Sequence, residues 1–344
     1  MKRLLFIAVF CTFFTAAGFS QTDLQPAAIV NLTKSEPITV KQFRTEVERM
    51  ETTARRALTE PERRQVLDVM INERLAVQAA ERDKITVADN EINQQIQQLR
   101  AGMAQAIGRQ PTDAEYAQAV RNETGLEVAA FREQLRRQLI VQKYLTSKKQ
   151  GLFESLKVPA EAEIQNAYSL TKSQFVRPET VRFSMVMIPY GSDKTKAKEL
   201  ADRLNGEIGL NPSRFDEVAL RGQAPNSGYQ AGDGGFLPRN PEAMQVVGAD
   251  FINAAFNLKQ GEVSKMIEGA RGYQIIKITE TYTQKALELD DIFQLGSRIT
   301  VRDYIGNSML QERQQAILAQ ATQELVTELR AGRTFQVFER NLTW

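Results

Sequence analysis

Phe251-Ile252-Asn253-Ala254-Ala255-Phe256, then Lys259-Gln260-Gly261-Glu262-Val263-Ser264, then Gly272-Tyr273-Gln274-Ile275-Ile276-Lys277 follow one another closely along the chain. The first block lies in a predicted short helix, Asp250 to Leu258. Gly261-Glu262 reads as the turn from helix to strand. The third block opens a predicted strand from Gly272 to Thr283. Upstream, Val181 to Tyr190 is β-like, with Phe183, Met185 and Met187 on one side. Lys194 to Leu204 is helical, and the stretch from Gly222 to Gly235, rich in Gly, Pro and Asn, reads as loop. Strands and helices that interleave in this way predict a compact α/β domain over residues 177–283. Glycines 232, 234 and 235 let backbone pass tightly beside a cleft. Phe236, Phe251 and Phe256 are candidates for the floor of an apolar, substrate-binding groove. The competing reading is that these rings pack the domain core.

The flanks have a different texture. Ala27 to Leu32 reads as a short strand, closed by the turn residues Lys34 to Pro37. Helix starts follow: Thr39 before Gln42, Thr59 before Pro61 and Glu62, Thr86 before Asp89, Thr112 before Glu115. Each threonine hydroxyl can accept from free helical amides, with a partner at or near the third position. The Thr59 helix carries Val66, Leu67, Val69, Met70, Ile71, Leu75 and Val77 and is apolar on most sides, so it is expected to be central. The next has Ile92, Ile96 and Leu99 on one face, and another, opened by Gly125, has Phe131, Leu135 and Leu139 at spacing four. The Gln and Arg of residues 93–143 fit a solvated helical surface. Pro159 starts a helix through Tyr168, and Arg177-Pro178 marks an exit into the next domain, because the residue before proline is pushed out of helix. Val301, Tyr304, Ile305, Met309, Ile317, Leu318, Leu325 and Leu329 predict one long C-terminal helix ended by Gly332. Thr334 to Trp344 is expected to be extended, with Phe338, Leu342 and Trp344 on one face, and to pair with residues 27–32. The expected fold class is therefore α+β. A helical module is built from residues 21–176 and completed by residues 284–344, with the α/β domain inserted.

Residues 1–20 read as a cleavable signal peptide. Lys2 and Arg3 precede an apolar run from Leu4 to Phe14, and small residues follow at Ala16, Ala17, Gly18 and Ser20. That run is shorter than the roughly 20 residues a bilayer span takes, and nothing later is long and apolar enough to cross, so an exported chain is expected. Lys2 and Arg3 are the only charges in this segment, so 42 basic residues then balance 42 acidic ones. Such a balance offers no basic stripe for nucleic acid. The chain has no histidine, and its one cysteine, Cys11, sits in the apolar run. The commonest general base near neutral pH and the commonest transition-metal ligand are thus missing. With no Gly-x-x-x-x-Gly-Lys-Ser/Thr loop either, neither a metal nor a cofactor is expected.

The middle domain resembles the parvulin family of peptidyl-prolyl isomerases. The resemblance rests on Val181-Arg182-Phe183-Ser184, Phe215-Asp216-Glu217-Val218-Ala219, Gly232-Asp233-Gly234-Gly235-Phe236 and the three blocks quoted first. With Met70-Ile71-Asn72-Glu73-Arg74-Leu75 before it and a returning C-terminal helix after it, the chain is similar to the SurA/PrsA group of exported chaperone-foldases. The resemblance implies a phenylalanine, here Phe251, at the floor of a proline pocket. It also implies histidines in the first and last strands, where this chain has Met185 and Gln274. An expected cysteine or aspartate is absent from Leu220 to Ala231, and Gly234 replaces a leucine of the pocket wall. Methionine offers no useful hydrogen bond and glutamine cannot titrate. The expectation is an ATP-independent holdase for unfolded or newly exported polypeptides, outer-membrane proteins among them, with no confident catalytic residue. The alternatives are a working prolyl isomerase that uses Met185, Gln274 and backbone groups, and a scaffold that has lost client binding.

Overall fold

The computed structural model describes residues 21–224 and 227–342. The predicted signal peptide and Trp344 lie outside the described residues. In chain order the elements are β1 Pro26–Val30, β2 Glu36–Thr39, α1 Val40–Ala54, α2 Glu60–Arg82, α3 Asp89–Ile107, α4 Asp113–Thr124, α5 Val128–Lys148 and α6 Gln150–Glu154. Then come α7 Glu161–Thr171, β3 Val176–Arg177, β4 Thr180–Pro189, α8 Lys194–Ile208, α9 Pro212–Gly222, β5 Gln230–Pro238, α10 Pro241–Val247 and α11 Ala249–Asn257. The chain closes with β6 Ile267–Glu268, β7 Gly272–Tyr282, β8 Lys285–Ala286, α12 Val301–Ala331 and β9 Phe335–Val337.

Two compact units divide these elements. One runs to residue 156 and resumes at 313, and the other is continuous from 157 to 312. The second unit is wider than the 177–283 segment read from sequence. The physical reason is a satellite core in which Ile164, Tyr168 and Phe175 pack with Leu287, Val301 and Ile305. The Tyr168 hydroxyl also donates to the carbonyl of Leu287 at 2.9 Å.

In the first unit, capping boxes start three helices. The Thr59 hydroxyl accepts from the Glu62 amide, and the Glu62 carboxylate accepts from the Thr59 amide at 2.8 Å. Thr39 and Thr112 do the same with Gln42 and Glu115. Thr86 does not cap its helix. α3 starts after Ala88, whose amide donates to the Glu91 carboxylate at 3.3 Å. α2 buries Leu67, Ile71 and Leu75, but Val69 is exposed. Its interior Gln78 is fully buried. The Gln78 side-chain oxygen accepts from the amides of Leu32 at 3.1 Å and Thr33 at 3.0 Å, and its nitrogen donates to Glu36 at 3.1 Å. One side chain thereby holds the turn between β1 and β2. The expected pairing of the chain's two ends is present, since Ala28, Ile29 and Val30 oppose Val337, Gln336 and Phe335 in an antiparallel ladder. Among the described residues of the tail only those three are strand, and Glu339–Asn341 forms a 3-10 turn instead. β1 is the centre of a three-stranded sheet, with β2 on its other side.

The second unit is built on a four-stranded antiparallel sheet in the order β5-β4-β7-β6. Both faces are buried. Val186, Ile188, Tyr273 and Ile275 pack with Ala201 of α8 and Phe215 of α9. Phe183, Ile276 and Ile278 pack on the opposite face with Phe251 and Ile252 of α11. The stretch read from sequence as loop is corrected here, because residues from Gln230 onward form β5 and pair with β4 from Met187↔Gln230 to Thr180↔Pro238. Glycine weakens a strand interior, and here the ladder to β4 holds the strand despite it.

Candidate functional site

The candidate site lies on the α11 face of this sheet. Phe251 is 3% exposed and Phe183 is 6% exposed. Their rings meet edge to face, with centroids 5.3 Å apart and planes at 71°. That arrangement places a positive ring edge on a negative ring face. Met185 and Phe256 are half-buried against the same cluster. Phe256 carries the guanidinium of Arg239 over its ring, 5.3 Å from the centroid.

Gly234 explains the position of Phe183. A β-carbon at residue 234 would come within 2.1 Å of the Phe183 ring. The missing side chain is thus the space the ring occupies. The sequence reading noted Gly234 as an absent wall and did not single out Phe183. The only signal was the alternation that puts Phe183 on the same side as Met185.

Phe236 is not brought to this face. Its chain neighbour Leu237 joins the Phe251 cluster, and alternation turns Phe236 to the other side of β5. There it packs 6.0 Å from Tyr282, and Arg182 lies 5.2 Å over its ring. The three phenylalanines therefore do not form one floor.

Gln274 opposes Met187 in the β4–β7 ladder, while Met185 opposes Ile276. Met185 and Gln274 are consequently diagonal neighbours on one face. The Gln274 side chain lies beside Gly269, and its oxygen is buried with no hydrogen-bond partner among the described residues. Neither group can take up or release a proton near neutral pH.

The nearby acids are committed elsewhere. Asp233 accepts from Arg182 at 2.6 Å and from the Gly235 amide at 2.9 Å. Arg182 first, then that amide, hold the Asp233 carboxyl below its usual range. Glu280 is held low by the Tyr282 hydroxyl and then by Arg182, 2.9 Å away. Both stay ionised acceptors at neutral pH. Ser264 is buried, and its oxygen accepts from the Ile276 amide at 3.0 Å. No group of three or more metal-ligating side chains occurs among the described residues.

These directions predict a flat pH response. Carboxylates lowered on folding, such as Asp233, Glu280 and Asp291, contribute stability that is full above their unfolded pKa and is lost as pH falls through the lowered folded values. That loss lies below about pH 4. Lysines raised on folding, such as Lys194, lose their contribution only as pH climbs past the raised value. That loss lies above about pH 10. With no histidine in the chain, no side chain among the described residues ordinarily titrates between about pH 5.5 and 9. The thermal midpoint should change little from about pH 5.5 to 9. A scan that finds a transition near pH 6.5 contradicts this account.

In the first unit, apolar side chains of two helices remain partly uncovered. Leu99 and Ile107 of α3 are 47% and 49% exposed. Phe131, Leu135 and Leu139 of α5 are only half-buried. Ion pairs fasten the two helices together, Arg136 to Asp89 at 2.9 Å and Lys143 to Glu91 at 2.5 Å. The apolar stripes are held in place without being fully covered.

Comparison with known proteins agrees with this two-part architecture. Residues 2–145 match the SurA-like N-terminal domain, and residues 159–293 match the PPIC-type PPIase domain. The chain carries a SurA-like N-terminal domain followed by a PPIC-type PPIase domain. It is similar to Chaperone SurA of Alcanivorax borkumensis, at 29% identity over 227 residues, which is 63% of this chain and 47% of that protein. It is also similar to Foldase protein PrsA of Clostridium botulinum, at 22% identity over 288 residues, which is 82% of this chain and 75% of that protein. The chain thus spans about half the length of the SurA relative and three quarters of the PrsA relative. A solved structure from a study of the SurA-like chaperones PEB4 and Cj1289 of Campylobacter jejuni aligns with 91% of this chain and 100% of its own, with 14% identity and a TM-score of 0.38. No helix among the described residues is long and apolar enough to cross a membrane.

Proposed function

We propose that this SurA/PrsA-like chain is an exported, ATP-independent holdase acting in the periplasm, and that its PPIC-type domain does not isomerise prolyl bonds. Its clients are unfolded or newly exported polypeptides, with outer-membrane proteins among them. The observation that carries the catalytic half is the burial of Phe251 at 3%, its ring packed against Phe183 on the sheet face that carries Met185 and Gln274. A prolyl ring has no open floor there, and neither Met185 nor Gln274 can exchange a proton near neutral pH. The binding half rests on the partly uncovered apolar residues of α3 and α5. We assign it to the helical module formed by residues 21–176 and 284–344. The SurA relative's name, a chaperone, supports the binding of other polypeptides.

Most of the apolar surface is buried in the core, so only the remainder can meet a client. Micromolar affinity corresponds to about −8 kcal/mol and is the expected ceiling. Purified protein should slow aggregation of an unfolded client at near-stoichiometric ratio without ATP. It should leave a proline-limited refolding reaction unaccelerated. Isomerase catalysis by material free of contaminating isomerases would replace this reading with the second one, an active prolyl isomerase. One observation favours that alternative: the buried Gln274 oxygen without a partner could accept from a substrate amide. Failure to slow aggregation at a severalfold excess would remove the holdase reading.

A further inference from the structure

The Phe183 ring sits where any side chain at Gly234 would have to go, with a β-carbon there reaching within 2.1 Å of it. Gly234 itself is exposed, while Phe183 is 6% exposed. The ring therefore lies one layer below the surface, with Gly234 above it. Its edge contacts Phe251 at a centroid distance of 5.3 Å. Met185 is packed against the same cluster from the same strand. The Phe183 ring thus fills the apolar space bordered by Gly234, Phe251 and Met185.

We propose that Phe183 is the residue that closes this recess, and that shortening it creates a binding site for a compact apolar ring such as a prolyl side chain. This rests on the reading of the PPIC-type domain as non-isomerising and supplies its structural cause. Met185 and Gln274 supply no titratable group, whereas Phe183 removes access. A large-to-small change in a packed core leaves space because the surroundings relax only partly. Here the space would open toward Gly234, which has no side chain to refill it.

The test uses the full chain with isotope-labelled methionine methyl groups, Met185 being assigned by its loss in Met185→Leu. The probe is a succinylated Ala-Ala-Pro-Phe peptide. Wild-type protein should show no Met185 shift at millimolar peptide. Phe183→Ala should show a saturable shift with apparent affinity at least tenfold stronger than wild type. Phe183→Leu keeps apolar bulk without the ring and should fall between the two. A Met185 shift in wild type overturns the proposal. A folded Phe183→Ala or Phe183→Leu protein with no shift overturns it too. Should the alanine variant fail to fold, the leucine variant and the wild-type arm still decide. Aggregation suppression is read in parallel. If wild type fails that assay and its Met185 signal stays still, the holdase reading falls and the closed recess stands. If wild type suppresses aggregation and its Met185 signal moves, the outcome is reversed.

Discussion

Gly272→Ala should destabilise the second unit by about 3 kcal/mol, at the upper end of what overpacking usually costs. Gly272 is buried at the start of β7, opposite Pro189 at the end of β4. A β-carbon there would fall 2.1 Å from the Ile188 carbonyl oxygen and 2.8 Å from the Pro189 α-carbon. Both obstacles are backbone, so no rotamer change relieves them. The two strands must part at that end, which disturbs the bond from the Tyr190 amide to the Arg271 carbonyl at 3.0 Å. For a unit of this size the loss corresponds to roughly 10 °C in thermal midpoint. Gly232→Ala is the matched control, because nothing lies within 4 Å of its added carbon. Equal midpoints for wild type and Gly272→Ala would show that the strands do not approach as described.

Gln78→Leu should cost the first unit a comparable amount. The replacement keeps the bulk and removes the acceptor for the Leu32 and Thr33 amides, 3.1 and 3.0 Å away. Each donor left unsatisfied in a buried setting costs about 1–3 kcal/mol, so a total near 3 kcal/mol is expected. Glu36 also loses the donor at 3.1 Å. Denaturant unfolding reads the stability, and hydrogen exchange reads the cause. The amides of Leu32 and Thr33 should exchange fast in the variant and slowly in wild type. Unchanged protection at both would mean that the turn is held by something else.

These residues also mark where sequence reasoning succeeded and where it ran out. Local chemistry was legible. Thr39, Thr59 and Thr112 each cap a helix because a hydroxyl and a third-position acceptor act within one turn of chain. Thr86 has the same spacing, but the chain enters α3 from Ala88, and position alone did not reveal it. Strand Gln230–Pro238 was hidden because Gly232, Gly234 and Gly235 look like loop until β4 provides the partner. Phe236 was grouped with Phe251 by residue type, although adjacent positions on a strand face opposite ways. The crowding at Gly272, the three-way role of Gln78 and the packing of Phe183 over Gly234 are all contacts between distant segments. None leaves a local pattern. The resemblance to parvulins located the candidate recess, and the departures at Met185, Gln274 and Gly234 were visible in it, but the ring that fills the recess was not.

The pairing of β1 with β9 has a consequence for how the chain is made. Asn341 donates from its side chain to the carbonyl of Pro26, 315 residues away along the chain. During synthesis the residues of β1 and α2 exist long before their last partner does. The second unit, continuous in sequence, has all its strands by residue 286 and ends at residue 312, so it can fold before the first unit is complete. The first unit must wait for β9, and closing so distant a contact is slow because chain entropy is lost before any bond repays it. In that interval the apolar faces of its helices lack their cover of Ala321, Leu325 and Leu329 from α12. A nascent or truncated copy would therefore present the same kind of surface that a finished copy is proposed to bind, so older molecules could shelter younger ones of their own kind.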